Sequence, residues 1–374
     1  MSISYNKLSV RVHLNRIRDN YTRIRSMADN PAAVVKSDAY GHGLIPVAHV
    51  LEQAGATTMA VGTVGEAVQL RESGFAGRVL ALLGAADSAE AILCREYRII
   101  PFVISLDHLN MLSAVGSEHS PLPVALKFDT GMARLGFSET SLPELLAALP
   151  GLRGIRPVIA ASHLAVADEA DGDAFTMTQH ATFLRIITAL RQAGHSVEAS
   201  LANSAAVLAY PQTHHELQRP GIVLYGANPL RGTDKEPLGA GLSPAMDVST
   251  PVLQVHPLPQ NVSVSYGRTF VAPRDMRVAI VAVGYADAWS RGLSNKGAVL
   301  LHGRRAPVLG RVCMQMTAVD VTDIPAVTTG DTAWLLGGPG EAPITPEELA
   351  TQWGTITYEV FCLLGLNPRT YTNE

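Results

Sequence analysis

The chain has 374 residues, 47% of them hydrophobic and 17% charged, which indicates a globular protein of two domains, or of one large domain with an appendage. Its formal net charge of −4 argues against nucleic acid or an anionic membrane as a partner. The three cysteines are scattered, no signal peptide opens the chain and no run approaches the roughly 18 apolar residues of a membrane span, so we expect a cytoplasmic protein.

The first part of the chain alternates short apolar runs with helical patterns. Leu8–Leu14 predicts a strand, and a helix follows through Ile17, Tyr21 and Ile24. From about residue 30 to 226 we expect eight more strands: Ala32–Val35, Thr58–Gly62, Arg78–Leu83, Ile99–Ile104, Leu122–Phe128, Ile155–His163, Glu198–Ala202 and Arg219–Tyr225.

Start and stop signals predict helices between these strands. They are Glu66–Ser73, Ser88–Tyr97, Leu106–Val115, Ser141–Leu149 and Asp173–Ala193, with Ser88 and Ser141 as capping serines. Eight strands alternating with helices predict an α/β fold, a (β/α)₈ barrel of the TIM type. The alternative is a doubly wound open sheet, which the absence of GxGxxG after the first strand disfavours.

After about residue 240 the pattern changes. Four prolines, at positions 244, 251, 257 and 259, interrupt the alternation of strands and helices. Strands are expected at Val278–Val283, Ala298–Leu301, Ala306–Val308, Thr317–Val321 and Thr332–Leu336, with a hairpin turn at residues 302–305. We predict a barrel domain over residues 12–238 and a mostly-β domain over 239–374, with residues 1–11 pairing with the β domain.

Lys36 is the first candidate functional residue. It ends the buried run Ala33-Val34-Val35, where a lysine is costly unless it has a function, and a polar, glycine-rich segment follows it. We interpret it as the lysine that holds pyridoxal phosphate as a Schiff base. A surface lysine is the ordinary alternative.

Further polar residues lie where the predicted strands end, the edge at which such barrels carry their active sites. They are Lys127 with Asp129, His163, and Asn203 with Ser204, and Arg219 opens the last strand. Ser204 and Gly221 stand after the seventh strand and in the eighth, where barrels often bind phosphate. The histidines lack metal-ligand spacing, so no metal is expected.

Nine segments occur in the order in which alanine racemases carry them, and the chain resembles that family over nearly its whole length. The segments are VVKSDAYGHG, LKFDTGMARLGF, SHLAVADE, ANSAA, RPGIVLYG, SYGRTF, VGYAD, GRVCM and TYEV. The resemblance implies interconversion of L- and D-alanine, supplying D-alanine for peptidoglycan. It also implies a pyridoxal-phosphate-dependent homodimer whose active sites take residues from both subunits.

The resemblance implies a two-base mechanism. Lys36 resembles the lysine that anchors the cofactor and moves a proton on the D-alanine face, and Tyr266 resembles the tyrosine that reaches the opposite face from the partner subunit. His163 and Arg219 resemble the pair that supports the tyrosine through hydrogen bonds. Arg219 also resembles the arginine that donates to the pyridine nitrogen. Fold-related decarboxylases are expected to place an acid there.

The remaining positions have peripheral roles by resemblance. Arg134 and Met314 correspond to substrate-binding residues, and Lys127 to a lysine that is carbamylated in many members. The cofactor shell comprises Tyr40, His163, Asn203, Ser204, Arg219, Gly221, Ile222 and Tyr358, and the substrate entrance comprises Asp168, Tyr285, Arg291, Arg311 and Ile356.

Two positions depart from the family pattern. Gln315 stands where an aspartate is usual, which leaves open a racemase of another small amino acid such as serine. Ala288 replaces the usual glycine, and alanine is less favourable there if the turn needs a positive φ. A non-catalytic pyridoxal-phosphate-binding protein is the alternative from another class. The second domain with Tyr266 and Met314 argues against it, and Arg219 argues against a decarboxylase.

Overall fold

The computed structural model describes residues 6–340 and 342–373, and Cα packing divides them into two compact units. The barrel unit holds residues 17–39 and 44–242, and the β unit holds the described residues among 1–16, 40–43 and 243–374. The domain boundaries predicted from the sequence, 12–238 and 239–374, remain a prediction, because a division by Cα packing does not test them. Within the described ranges, no helix is long and apolar enough to cross a bilayer.

Seven parallel strands form one sheet in the barrel unit, in chain order. They are β2 (Ala33–Val34), β3 (Thr58–Val61), β4 (Arg78–Ala81), β5 (Ile99–Val103), β6 (Leu122–Lys127), β7 (Ile155–Ala161) and β8 (Glu198–Ser200). Every residue of β3 and β5 is buried, because helices cover parallel sheets, and this is why the strands are continuous apolar runs in the sequence. The predicted α/β barrel class is confirmed.

Helices alternate with these strands. They are α1 (Leu14–Arg25), α2 (Leu44–Gln53), α3 (Val64–Glu72), α4 (Ser88–Glu96), α5 (Leu106–Val115), α6 (Leu142–Ala148), α7 (Asp173–Gln192) and α8 (Ser204–Ala209). Two predicted caps are wrong. Asp87, not Ser88, caps α4 by accepting the Glu90 N–H, and Ser138 caps the 3₁₀ turn before α6 while Ser141 caps nothing.

The predicted eighth strand, Arg219–Tyr225, is wrong. Pro220 lacks an N–H for a ladder, and residues Ile222–Tyr225 form a 3₁₀ helix. The segment still bridges β2 and the end of β8, through backbone hydrogen bonds of 2.8 Å from Ala32 to Gln218, 2.9 Å from Val34 to Pro220 and 2.9 Å from Arg219 to Ala202. An irregular segment therefore takes the place of a regular eighth strand.

The β unit is built on an eight-stranded sheet. Its strands are β1 (Ser9–His13), β9 (Met246–Leu258), β12 (Met276–Val281), β13 (Ala298–Leu301), β14 (Arg304–Leu309), β15 (Thr317–Asp320), β16 (Thr332–Leu336) and β17 (Arg369–Thr372). The order is β12-β15-β14-β13-β16-β9-β1-β17, and β9 also pairs with β12, so six of the strands form a closed ring. The hairpin β10 (Ser263–Val264) and β11 (Phe270–Val271) and the helices α9 (Pro346–Trp353) and α10 (Thr357–Leu364) complete the unit.

Strand β9 was missed by the sequence analysis because prolines interrupt it. Pro251 pairs with Thr332 of β16, and from Val252 onward the strand pairs with β12 instead. The proline lies where the strand changes partners. By contrast, the predicted turn at residues 302–305 is confirmed, since Leu301 pairs with Arg304 and both loop residues have positive φ. Strand β1 pairs with β9 and β17, and residues 1–5 of the predicted pairing lie outside the described residues.

Candidate active site

Lys36 lies two residues after the end of β2 and opens a turn of unusual handedness. Val35 N donates to Ala60 O of β3 at 2.8 Å, which fixes the chain just before the lysine. Residues 37–40 then have φ of 53–55°, one turn of left-handed helix without a glycine. Such a conformation costs L-residues about 1–2 kcal/mol each, so the surroundings must hold this Lys36 turn (residues 36–40) in place.

Arg219 is buried and is held by neutral oxygens. Its Nη1 donates to Ser200 Oγ, and its Nη2 donates to Ser162 O at 2.5 Å and to Leu201 O at 3.5 Å. Burial lowers the pKa of Arg219 to about 10, so the guanidinium remains charged at neutral pH. The guanidinium has five N–H donors, so it can also serve a bound group.

His163 follows β7 and experiences several cations. Burial lowers its pKa well below the usual value, and the charges of Arg219, Lys127, Arg134 and Lys36 lower it further. The imidazole is therefore neutral at pH 7. Because electrostatic influence falls with distance, the shared effect on His163 places these four predicted residues in one cluster of the barrel unit.

Lys127 ends β6 with an amine that deprotonates readily. Burial and the nearby Arg219 charge lower its pKa to about 7, against a raising effect of Asp129, and its Nζ donates to Phe128 O at 2.6 Å. Asp129 itself accepts the backbone N–H groups of residues 131–134 at 2.8–3.1 Å. This carboxylate is thus occupied in shaping the loop that carries Arg134.

Asn203, Ser204, Gly221 and Ile222 form a group of donors beside this cluster in the same unit. Ser204 Oγ accepts the Gly221 N–H at 2.8 Å, and Asn203 Oδ1 caps α8 by accepting Ala206 N–H at 3.1 Å. Ser204 and Ile222 begin short helices, so their own N–H groups lie at open helix ends. Hydroxyl and N–H donors of this kind suit a phosphate ester.

Tyr40 and Tyr358 lie together in the β unit, with ring centroids 5.9 Å apart. Burial raises the pKa of Tyr40 well above its usual value, so its phenol stays protonated and can donate. Gly41 follows with a φ of 79°, and a Cβ there would lie 2.3 Å from Phe361 O. Only glycine can therefore occupy this position.

A second group of predicted residues gathers elsewhere in the β unit. Ser265 Oγ donates to Arg311 O at 2.6 Å, Tyr285 N to Cys313 O at 3.1 Å and Ala286 N to Met314 O at 2.9 Å. These bonds tie the segments of Tyr266, Tyr285, Arg311 and Met314 into one surface, the Tyr266 patch. Tyr266 and Met314 are 71% and 57% exposed.

The other residues predicted to line the substrate entrance lie in loops and at helix starts. Asp168 lies in the loop after β7, Arg291 begins the 3₁₀ turn Arg291–Leu293 and Ile356 precedes α10. Ala288 has a φ of 62°, so the turn after Tyr285–Asp287 does need a left-handed residue. Ser200, whose hydroxyl accepts from Arg219, was missed, although a polar residue at the end of a buried strand was a usable signal. The other partners, Ser162 O and Leu201 O, are backbone carbonyls that residue type does not reveal.

Comparison with known proteins gives consistent matches. Residues 12–229 match the family model for the alanine racemase N-terminal domain, and residues 245–371 match that for the C-terminal domain. A curated alanine racemase of Nitratidesulfovibrio vulgaris (strain DSM 19637 / Miyazaki F) is 60% identical over 371 residues, 99% of this chain and 100% of the relative. Among solved structures, biosynthetic alanine racemase from Pseudomonas aeruginosa superposes with a TM-score of 0.88 at 35% identity, covering 98% of this chain and 99% of that one. Alanine racemase from Bartonella henselae, with covalently bound pyridoxal phosphate, gives 0.88 at 28% identity over 98% and 99%.

Proposed function

This chain belongs to the alanine racemase family, and we propose that it works with two opposed bases, Lys36 and Tyr266. It is a pyridoxal-phosphate-dependent isomerase that interconverts L- and D-alanine. The observation that carries the two-base proposal is the position of Lys36 at the end of β2, in one unit with His163 and Arg219.

The residues present fit the cofactor. The Ser204 hydroxyl, which the Gly221 N–H holds in place, and the open backbone N–H groups of Ser204 and Ile222 suit its phosphate. The buried Arg219 suits its ring nitrogen, and Lys36 offers the amine for the covalent link. When bound, the cofactor makes the α-hydrogen of an attached amino acid acidic by withdrawing electrons from the α-carbon. Tyr40, Asn203, His163 and Tyr358 are proposed to complete its surroundings.

The chain supplies the proton transfers. With the cofactor bound, Lys36 Nζ would move the proton on the D-alanine face, and the Tyr266 hydroxyl would move it on the L-alanine face. Arg219, with a pKa of about 10, would donate a hydrogen bond to the ring nitrogen without giving up its proton. A ring nitrogen kept unprotonated would favour prompt return of a proton to the α-carbon. Neutral His163 can transmit hydrogen bonding between Arg219 and the tyrosine.

Arg134 and Met314 are proposed to bind the substrate, Arg134 through its fork of donors to the carboxylate. Lys127 is proposed to carry a carbamate that orients Arg134. The support is its lowered pKa of about 7, because the neutral amine is the form that adds CO₂.

The substrate entrance is proposed to be lined by Asp168, Tyr285, Arg291, Arg311 and Ile356. Exposed Gln315 would set its tolerance for side chains such as that of serine. Turnover of serine above that of alanine would favour the serine alternative.

A direct experiment tests the two bases. Reduction with labelled borohydride should remove the absorption band of the cofactor–lysine link at about 420 nm and leave the label on Lys36. In D₂O, Tyr266→Phe should still exchange the α-hydrogen of D-alanine through Lys36, while racemisation from L-alanine falls by about 10²-fold or more. Tyr97→Phe, which removes a hydroxyl from the barrel unit, serves as the control. Racemisation by Tyr266→Phe at the wild-type rate would refute the second base.

The protein is proposed to act as a homodimer with shared active sites, in the cytoplasm, supplying D-alanine for peptidoglycan. The exposure of Tyr266 and Met314 supports the homodimer proposal. Within the described residues, Cys94, Cys313 and Cys362 form no disulfide, which fits a reducing compartment. Mixing inactive Lys36→Ala and Tyr266→Phe chains should restore about a quarter of the wild-type activity, since half of the random dimers carry one intact site. No recovery of activity after subunit exchange would exclude shared sites.

Growth of a deletion strain only with D-alanine tests the biosynthetic role.

A further inference from the structure

We propose that Glu66 is a positioning residue for Lys36, because its carboxylate ties the Lys36 turn to the loop after β3. The inference rests on the proposed role of Lys36 as cofactor anchor and base. Glu66 lies outside the nine family-like segments, and its sequence predicts only the start of a helix.

Glu66 uses its two oxygens on two different segments. Oε1 accepts the backbone N–H of Asp38 at 3.1 Å, in the middle of the left-handed turn. Oε2 accepts the N–H groups of Gly62 at 2.8 Å and Thr63 at 3.1 Å, in the loop that follows β3. One carboxylate therefore joins the turn after the lysine to the neighbouring strand's end.

The turn depends on such ties. Two further hydrogen bonds of the turn are local: Ala39 N donates to Val35 O at 2.9 Å, and Asp38 Oδ1 accepts the Leu44 N–H at 2.7 Å. Neither of these two joins the turn to another strand. The bond from Asp38 to Glu66 joins the turn to the loop after β3, two residues after Lys36. The bond from Val35 to β3 fixes the chain one residue before Lys36.

The same loop also packs against the lysine. A Cβ on Gly62 would lie 3.7 Å from Lys36 Cβ and 3.0 Å from Glu66 Oε2. Gly62, Glu66 and Lys36 thus occupy adjacent space, and the backbone of Lys36 is fixed on both sides. This sets the direction in which the Lys36 side chain leaves the backbone, and a misplaced reacting group can cost about 10²-fold in rate.

A simple capping role does not account for these contacts. Glu66 is the third residue of α3 and forms a capping box with Thr63, whose Oγ1 accepts the Glu66 N–H at 3.1 Å. That motif needs only the bond from Glu66 to the Thr63 N–H. The bond to Asp38 is additional, so variants can separate helix capping from the positioning of Lys36.

The test compares Glu66→Gln with Thr63→Ala. The amide introduced by Glu66→Gln keeps one acceptor oxygen, which the two N–H groups of the loop favour on their side. The Asp38 N–H then loses its acceptor and faces an N–H₂ group instead. Thr63→Ala removes the helix cap but leaves the Asp38 bond. Hydrogen exchange in the cofactor-free proteins is expected to rise at least about tenfold at residues 37–40 in Glu66→Gln only.

Kinetics on the cofactor-saturated enzymes give the second measurement. We expect kcat of Glu66→Gln to fall by about 10²-fold with little change in KM for L-alanine, and kcat of Thr63→Ala to stay within about twofold. Glu66→Asp, which withdraws the carboxylate by one methylene, gives the same comparison if Glu66→Gln does not fold. Unchanged exchange at residues 37–40, or equal kcat in the Glu66 and Thr63 variants, overturns the inference. A borohydride label on a lysine other than Lys36 overturns the proposed function instead.

Discussion

The guanidinium of Arg219 donates to the hydroxyl of Ser200, and that hydroxyl gives its own proton to Leu217 O at 2.7 Å. Arginine can only donate, so the direction of this chain is fixed. The acceptors around Arg219 that the structure shows are neutral. The arginine is therefore oriented by its surroundings without a carboxylate that would offset its charge towards a bound cofactor.

Ser200→Ala is expected to weaken this arrangement. It leaves a buried Arg219 N–H without its acceptor, at a cost of about 1–3 kcal/mol in the free energy of unfolding. Cofactor affinity should also fall, because the guanidinium can turn towards other oxygens. Denaturant unfolding and cofactor titration of the apoprotein measure both effects. Ser200→Thr keeps the hydroxyl and is the control, and equal losses in the two variants would contradict the explanation.

Arg219→Lys is expected to be far from conservative. A lysine ammonium lacks the planar fork that serves Ser200 and Ser162 together and still faces a third group. We expect kcat to fall by about 10²-fold at saturating cofactor, with the circular-dichroism spectrum unchanged. Arg71→Lys in α3 is a matched control, because that arginine also binds backbone carbonyls but lies outside the cluster. A kcat near the wild-type value would remove Arg219 from the catalytic set.

Lys127 should make stability depend on pH in CO₂-free buffer. Its pKa is about 7 in the folded protein and about 10.4 when unfolded, so the unfolded chain binds more protons between these values. Stability should therefore rise with pH from about 7 to about 10, with a slope of up to about 1.4 kcal/mol per pH unit from this residue. The difference in unfolding free energy between wild type and Lys127→Met measures it. A difference that is constant with pH would contradict the low pKa.

Bicarbonate should modify the same amine. With ¹³C-bicarbonate at pH 8, we expect a carbamate signal in the ¹³C spectrum that is absent from Lys127→Met. Racemase activity should increase with bicarbonate in the wild type and not in the variant. A signal that survives the substitution would place the carbamate on another lysine.

Ala288→Gly is expected to stabilise the β unit. Ala288 has a φ of 62°, which glycine adopts without strain, so we expect a gain of about 0.5–1 kcal/mol in unfolding free energy. The converse control is Gly74→Ala, at a φ of 98° with no atom within 4 Å of the added Cβ, which should destabilise through the backbone alone. Thermal unfolding of both variants checks the sign, and a destabilised Ala288→Gly would show that the methyl group outweighs the strain.

Local pattern predicted the regular elements well, because runs of buried apolar residues mark strands in both the parallel and the antiparallel sheet. The strands at Ala298–Leu301 and Thr332–Leu336 and the helix at Leu106–Val115 have the predicted bounds. The failures share a cause. Prolines signal an interruption in the sequence. They can prevent a strand, as in residues 219–225, or mark the point where a strand changes its pairing partner, as β9 does at Pro251. Which of the two occurs depends on neighbours distant in sequence.

The sequence by itself determined the chemistry available: a lysine ending a strand, an arginine where an acid could stand, a tyrosine in the β unit and a histidine after β7. The tertiary structure decided how these groups behave. Folding buries Arg219 among neutral oxygens, lowers the pKa of Lys127 and His163 by burial and neighbouring cations, and uses Glu66 to hold Lys36 beside a left-handed turn. These properties arise from desolvation and from hydrogen bonds between residues far apart in the chain, which no local pattern encodes.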